Sequence, residues 1–224
     1  MNLESQILLI DKPKGITSFD VIRRLRGELG IRKMGHAGTL DPLATGLMII
    51  GVNEGTKKLA EYLKLPKEYV AEVLVGERRS TGDMEGEILE EKEVTNLDEA
   101  QVRYVLRKMQ GTLTLPVSAY SAIKKDGVPM YKRARKKAAQ GELVPESELP
   151  LRTMQITETE LITIEHLPTR AVLTIRFGVG TGTYIRSLAE ELGKRLGYPA
   201  TLQNLRRTKI GEFDIKDART LLNT

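Results

Sequence analysis

The sequence predicts an α+β fold with a mixed, largely antiparallel central sheet flanked by helices, and three observations carry that prediction. Strand-like apolar runs and helix-like periodic segments follow one another irregularly, without a regular βαβ repeat. The 224 residues suffice for one sizeable core, or one core with a small appendage, and one domain over residues 1–224 is expected. Apolar residues make up 40 % of the chain and charged residues 29 %, the balance of an ordinary globular protein and not of a disordered one.

The elements can be taken in order. Ser5 to Ile10 reads as a first strand. Thr17 or Ser18 can cap a helix running to Leu29, with Ile22, Leu25 and Leu29 on one face and Gly30 ending it. Leu47-Met48-Ile49-Ile50-Gly51-Val52 is a short apolar run ended by glycine, a buried strand. Thr56 to Leu63 reads as a short helix, and Tyr69 to Gly76 alternates as a strand does. Asn96 and Glu99 suit a capping box for a helix through Met109, closed by Gly111. Met130 to Gln140 is a basic helix, and Gln140 to Pro150 a polar, exposed loop. Thr153 to Ile164 and Arg170 to Phe177 make two strands joined near Pro168. Tyr184 to Leu196 is a helix that buries Ile185, Leu188, Ala189, Leu192 and Leu196. A strand around Leu205 to Phe213 and a short helix from Asp217 complete the series.

The densest chemical signal is Gly35-His36-Ala37-Gly38-Thr39-Leu40-Asp41-Pro42-Leu43-Ala44-Thr45-Gly46. Glycines admit backbone conformations closed to other residues, and Pro42 biases Asp41 towards extended geometry. An Asp before Pro in such a loop is either a turn former or a held acid, and beside His36 the second reading suggests chemistry. The segment resembles the nucleophile motif of the TruB family, the tRNA pseudouridine-55 synthases, whose pattern is roughly G-H-x-G-x-L-D-P-x-A-x-G-x-L. Every fixed position is filled, from Gly35 to Leu47. Further family-like segments follow in family order: Leu8-Leu9-Ile10-Asp11-Lys12-Pro13-Lys14-Gly15-Ile16-Thr17-Ser18, then Lys67-Glu68-Tyr69, then Thr81-Gly82-Asp83 with Gly86. Tyr120 to Lys124 with Gly127 and Tyr131, Gly182-Thr183-Tyr184-Ile185-Arg186-Ser187-Leu188, and Leu205-Arg206-Arg207-Thr208 extend the resemblance over nearly the whole chain.

The resemblance implies a pseudouridine-synthase core with an RNA-binding cleft, and an isomerase acting on the T-loop uridine of tRNA. Asp41 would be the nucleophile, attacking either the sugar C1′ or the uracil C6, and Arg186 its charge partner. Tyr69 would stack on the base and help proton removal. Tyr184 and Leu205 would wall the pocket, His36 would contact the RNA where the base leaves, and Lys67, with Asp83 behind it, would be a positioning candidate. Read without the family, Arg186 is an ordinary helical partner of Glu190, four residues on. The rival function is a non-catalytic RNA-binding protein or tRNA-folding chaperone, and a further one is the same chemistry on another RNA. Bacterial relatives usually carry a small C-terminal RNA-binding domain, which is not expected within residues 1–224.

Charge supports a polyanionic partner. Lysine and arginine total 35 against 30 acids, a net charge of +5. The excess gathers in three places: Lys12 to Lys33 before the Asp41 loop, Lys124 to Lys137, and Arg206, Arg207 and Lys209. Basic runs are often mere solvated faces, but three of them flanking the motifs suit a polyanion, which the resemblance implies is the T-arm stem-loop of tRNA. No metal is expected, since cysteine is absent and the two histidines lie far apart, and no cofactor, since the isomerisation that the resemblance implies involves no net redox change or hydrolysis. Gly178 to Thr183 misses the dinucleotide-loop spacing, and Gly51 to Lys57 the P-loop spacing. With no apolar run of membrane-spanning length and no signal-peptide pattern, a cytoplasmic monomer is expected.

Overall fold

The computed structural model describes residues 5–221. Strand β1 (Ser5–Lys12) leads into helix α1 (Ser18–Leu29), then β2 (Met34–His36) and β3 (Thr45–Asn53). A 3-10 turn at Glu54–Lys58 and the short helix α2 (Leu59–Lys64) precede β4 (Lys67–Val75), β5 (Glu77–Arg79) and β6 (Ile88–Glu91). Helix α3 (Glu99–Met109) is followed by β7 (Gly111–Pro116), the pair β8 (Lys124–Lys125) and β9 (Val128–Pro129), and helix α4 (Met130–Ala138). The long strand β10 (Leu151–His166), β11 (Ala171–Val179), helix α5 (Ile185–Leu196), β12 (Ala200–Ile210), β13 (Phe213–Asp214) and β14 (Arg219–Thr220) complete the order.

The residues group into two compact units. One comprises the chain up to Val70, Gly178–Thr181 and the chain from Asn204; the other comprises Ala71–Phe177 and Gly182–Gln203. In the first unit the strand order is β14-β1-β3-β12. Strands β1 and β3 are antiparallel, from Ser5 opposite Asn53 to Lys12 opposite Gly46. Strand β12 runs parallel to β3, with Arg206 opposite Thr45 and Arg207 opposite Gly46, while β2 pairs antiparallel with the far end of β3. Residues 46–52 of β3 are buried without exception, the pattern of a strand covered on both faces. Leu47, Ile49, Ala37 and Ile210 pack with Leu9, Leu59, Leu65 and Phe213, and the Tyr62 ring meets Phe213 edge-on at 5.4 Å.

The cap of α1 is local chemistry. Thr17 Oγ1 accepts from the Asp20 amide at 3.1 Å and the Asp20 carboxylate accepts from the Thr17 amide at 2.8 Å, a reciprocal box three residues wide. Val21, Ile22 and Leu25 turn inward, and Gly30 ends the helix.

In the second unit the order is β4-β11-β10-β7, with β10 and β7 antiparallel from Leu151 opposite Pro116 to Ile156 opposite Gly111. Helix α3 lies on β10 and α5 through Val102, Leu106 and Met109, all buried. Helix α5 buries the five positions its period predicts, and Ser187 Oγ donates to the Pro116 carbonyl at 2.8 Å. Strands β5 and β6 form a separate antiparallel hairpin.

The α+β architecture with a mixed, largely antiparallel sheet is the one expected, and four local expectations differ. The N-cap of α3 is Asp98, which accepts from the Gln101 amide at 2.8 Å, so Asn96 lies outside the helix. Gly111 does not cap α3 but opens β7, whose Thr112-Leu113-Thr114-Leu115 alternation turns the leucines inward as the strand pairs along β10. The last strand begins at Ala200 and turns at Gly211 into β13. At Asp217 a 3-10 turn ends, and Arg219–Thr220 add a strand parallel to β1 where a helix was expected.

Candidate active site

In the first unit Asp41 sits half-buried in the loop between β2 and β3, and that loop is held from several sides. Ser18, at the start of α1, donates to the Leu40 carbonyl at 3.0 Å and accepts from the Leu40 amide at 2.8 Å. The Ala44 amide donates to the Asp41 carbonyl at 3.0 Å, closing a turn, and the Gly15 amide donates to Pro42 at 2.8 Å. Lys12, at the end of β1, has no exposed surface. Its ammonium donates to the carbonyls of Pro13, Pro42 and Ala44 at 2.9, 3.3 and 2.6 Å.

Arg207, 1 % exposed, reaches from β12 to the other limb, donating through Nε to Leu47 at 2.7 Å and through Nη2 to Gly38 at 3.2 Å. Gly46 makes that approach possible: its φ is +106°, and a β carbon there would stand 2.3 Å from the Arg207 carbonyl oxygen. Lys12 and Arg207 belong to the basic clusters that suit a polyanionic partner. Both are buried supports, because loop carbonyls facing inward need donors that only long cationic side chains can bring. Both sit in family-like segments, but nothing local marks this supporting role, since apart from Pro13 the partners lie about 30 residues away for Lys12 and 160 or more for Arg207.

Electrostatics place the other first-unit candidates around the same guanidinium. Burial lowers the Lys12 pKa to about 8, Asp41 and then Asp20 pull it back up, and Arg207 adds to the lowering. His36, on β2 opposite Ile50, is half-buried; burial first and Arg207 second hold its pKa below the ordinary histidine value. Lys67 is likewise brought to about 8, by burial and then by Arg207. Its ammonium donates to the carbonyls of Leu63 and Leu65, each at 2.6 Å, so it fastens the end of α2 to the start of β4. Two residues on, Tyr69 lies on the same face of β4 and is 9 % exposed. Leu205 is half-buried on β12, its carbonyl accepting from Thr45 at 3.4 Å just past the Asp41 turn.

In the second unit Tyr184 is the N-cap residue of α5 and half-buried, and Arg186 lies in the first turn, 6 % exposed. Its Nη1 donates to the Thr81 carbonyl at 2.9 Å and lies 3.5 Å from both Ser118 Oγ and Asp83 Oδ2; Nη2 donates to the Tyr120 carbonyl at 3.3 Å. The planar fork thus joins the Thr81–Asp83 turn to the Ser118–Tyr120 loop. Asp83 is a direct partner of Arg186, a closer involvement than its rank as the weakest candidate suggested. Ser118, whose hydroxyl also donates to Thr81 at 3.0 Å, was not singled out at all, since a serine in a loop carries no distinguishing pattern.

The family model for TruB family pseudouridylate synthases, N-terminal domain, matches residues 26–185. The chain belongs to that family. A protein named tRNA pseudouridine synthase B from Leifsonia xyli is 41 % identical over 220 residues, covering 97 % of this chain and 70 % of the relative. One of the same name from Corynebacterium efficiens is 36 % identical over 214 residues, covering 96 % and 70 %. Among solved structures, a Cbf5-Nop10-Gar1 complex matches with a TM-score of 0.69 at 26 % identity, covering 99 % of this TruB-family chain and 54 % of the other. An archaeal box H/ACA sRNP Nop10-Cbf5 complex matches at 0.67 and 25 %, covering 98 % and 52 %. The TruB-family chain thus spans about half the length of those two solved chains.

Proposed function

We propose that this chain isomerises the T-loop uridine of tRNA to pseudouridine, with Asp41 as the nucleophile. One observation carries the reading most: a single carboxylate stands in a loop whose carbonyls and amides are tied down by Ser18, Lys12 and Arg207. A turn former needs no such support, whereas a nucleophile that must meet one atom of a substrate does. Asp41 forms the covalent bond to the nucleoside, at C1′ or at C6, the glycosidic bond breaks, the uracil turns and C5 joins the sugar. Arg186 is assigned as the charge partner of Asp41 on the family motif alone.

Tyr69 stacks on the extruded base and assists removal of the C5 proton. Tyr184 and Leu205 wall the base, and His36, kept neutral by burial and by Arg207, contacts the RNA where the base leaves. Lys67 acts on Tyr69 from behind, by fixing the entry of β4.

The target base lies in a folded T-loop, so extruding it costs a few kcal/mol, which phosphate contacts and stacking must offset. Helix α4 offers the first: Met130 and Ala134 face inward while Lys132, Arg135 and Lys136 are exposed. No helix among the described residues is long and apolar enough to cross a membrane. The reading takes the protein to be cytoplasmic and monomeric.

Mass mapping of pseudouridine in tRNA incubated with the protein tests the proposal. Formation at the T-loop uridine is expected, with complete loss in Asp41→Asn and RNA affinity kept within several-fold, because the amide is nearly isosteric but a poor nucleophile. Residual turnover at a tenth of the parent rate would remove Asp41 as nucleophile. Tight tRNA binding with no product from the parent protein would favour the chaperone reading.

A further inference from the structure

The turn that holds Arg186 has a support of its own. Thr81 and Asp83 lie on its near limb, where Thr81 Oγ1 donates to Asp83 Oδ1 at 2.5 Å and the Glu85 amide donates to the same oxygen at 3.1 Å. The far limb presents the carbonyls of Met84 and Gly86, and Arg79 Nη1 donates to both, at 3.2 and 3.1 Å. Arg79 Nε is paired with Glu77 Oε1, and Glu77 has no exposed surface. The second Glu77 oxygen stands 2.6 Å from Arg170 Nη1, and Arg170 Nη2 is paired with Glu91.

We propose that Arg79 is a positioning residue for catalysis, acting on Arg186 through the 80–86 turn with buried Glu77 as its anchor. The inference rests on the placement of Arg186 in the active site and extends it to a group that touches neither Arg186 nor substrate. A buried carboxylate must be paired to stay charged, and here it stands between two guanidiniums. The pairing fixes the plane of the Arg79 fork, so Nη1 can reach only one place, the far limb of the turn. Motion there passes to the near limb, because a β carbon on Gly86 would stand 2.6 Å from both the Thr81 amide nitrogen and its hydroxyl. The near limb carries the Thr81 carbonyl and the Asp83 carboxylate, two of the groups that face Nη1 of Arg186. The β5–β6 register shifts between Arg78 and Arg79, with Leu89 the extra residue on β6, next to the point where Arg79 leaves for the turn.

Single-turnover kinetics on tRNA, a binding titration and thermal unfolding separate positioning from plain stability. Arg79→Gln is expected to slow the chemical step at least tenfold while tRNA Kd stays within twofold. Arg79→Lys restores a charge to Glu77 but not the fork, so it should recover melting temperature and leave the rate depressed. Arg170→Gln removes the other partner of Glu77 without touching the turn, and should lower the melting temperature with the rate within twofold of the parent. In an Asp83→Asn background, Arg79→Gln should add little further loss, since both act through one turn. Should Arg79→Gln fail to fold, Arg79→Lys carries the comparison.

A parent-like rate in Arg79→Lys, or rates that follow melting temperature equally in Arg79→Lys and Arg170→Gln, would overturn the proposal. Hydrogen exchange over residues 77–91 gives a readout free of activity. Faster exchange at the Ser80, Gly82 and Gly86 amides is expected in Arg79→Lys but not in Arg170→Gln, and unchanged exchange overturns the positioning. If the parent protein forms no pseudouridine, the functional reading fails, and the exchange result alone decides the support of the turn.

Discussion

Replacing Lys12 by methionine tests the cage around Asp41 most directly, since the side chain keeps its length and loses only its ammonium. Three hydrogen bonds disappear, two of them to carbonyls of the Asp41 loop, Pro42 and Ala44. Bonds from a charged donor contribute about 1.5 to 3 kcal/mol each, so roughly 5 to 9 kcal/mol of interaction is lost. Against this stands the cost of holding a buried charge. A pKa lowered from 10.5 to about 8 means that the charged form is disfavoured by about 3 kcal/mol, and methionine removes that cost.

The balance is a destabilisation of about 2 to 6 kcal/mol, to be read from urea unfolding at neutral pH. Freed from Lys12, the turn at Asp41 should also spread over several conformations, and single-turnover formation of pseudouridine should fall at least tenfold with tRNA affinity little changed. The same residue leaves a pH signature. Between about pH 8 and 10.5 the unfolded chain still binds the proton that folded Lys12 has released, so this group makes stability rise with pH across that window. Lys67, lowered to the same value, adds a similar rise that Lys12→Met leaves in place, so the variant should show a shallower increase and not a flat one. Unfolding within about 0.5 kcal/mol of the parent, together with an intact rate, would refute the cage.

Other outcomes follow from the same geometry. Arg186→Lys keeps a cation but cannot span Thr81 and Tyr120, so turnover should fall by an order of magnitude or more, and a rate within threefold of the parent would reduce Arg186 to a simple charge. T-arm affinity should fall linearly on a log-log plot against salt, and reversing the charge of Lys132 and Lys136 should flatten the slope; a parent-like slope in that double variant would make α4 a solvated face. His36, with its pKa held below the ordinary 6.5, resists protonation when the unfolded chain accepts it, so stability should drop as the pH falls below 6.5, and His36→Gln should lessen that drop in urea titrations.

Those parts of the protein whose causes lie within a few residues of one another were determined by the sequence alone. The reciprocal cap of α1 spans Thr17 to Asp20, the buried face of α5 follows from helical period, and the short apolar run at Leu47, ended by glycine, reads as a covered strand. The family motifs named Asp41, Tyr69 and Arg186 for the same reason: each motif is a short local string. Tertiary structure alone decided what those residues lean on. Lys12 and Arg207 read as charge offered to a polyanion until β12 runs parallel to β3 and sets Arg207 opposite Gly46, and until β1 carries Lys12 beneath the carbonyls of Pro42 and Ala44. Strand β7 exists through β10, and Asp83 gains its importance from a guanidinium 103 positions away in the chain. A charged side chain is solvated by default, because burial costs more than any local contact returns. Only when distant segments bring inward-facing carbonyls to one point does a buried lysine or arginine become the cheaper solution, and no window of sequence contains both halves of that bargain.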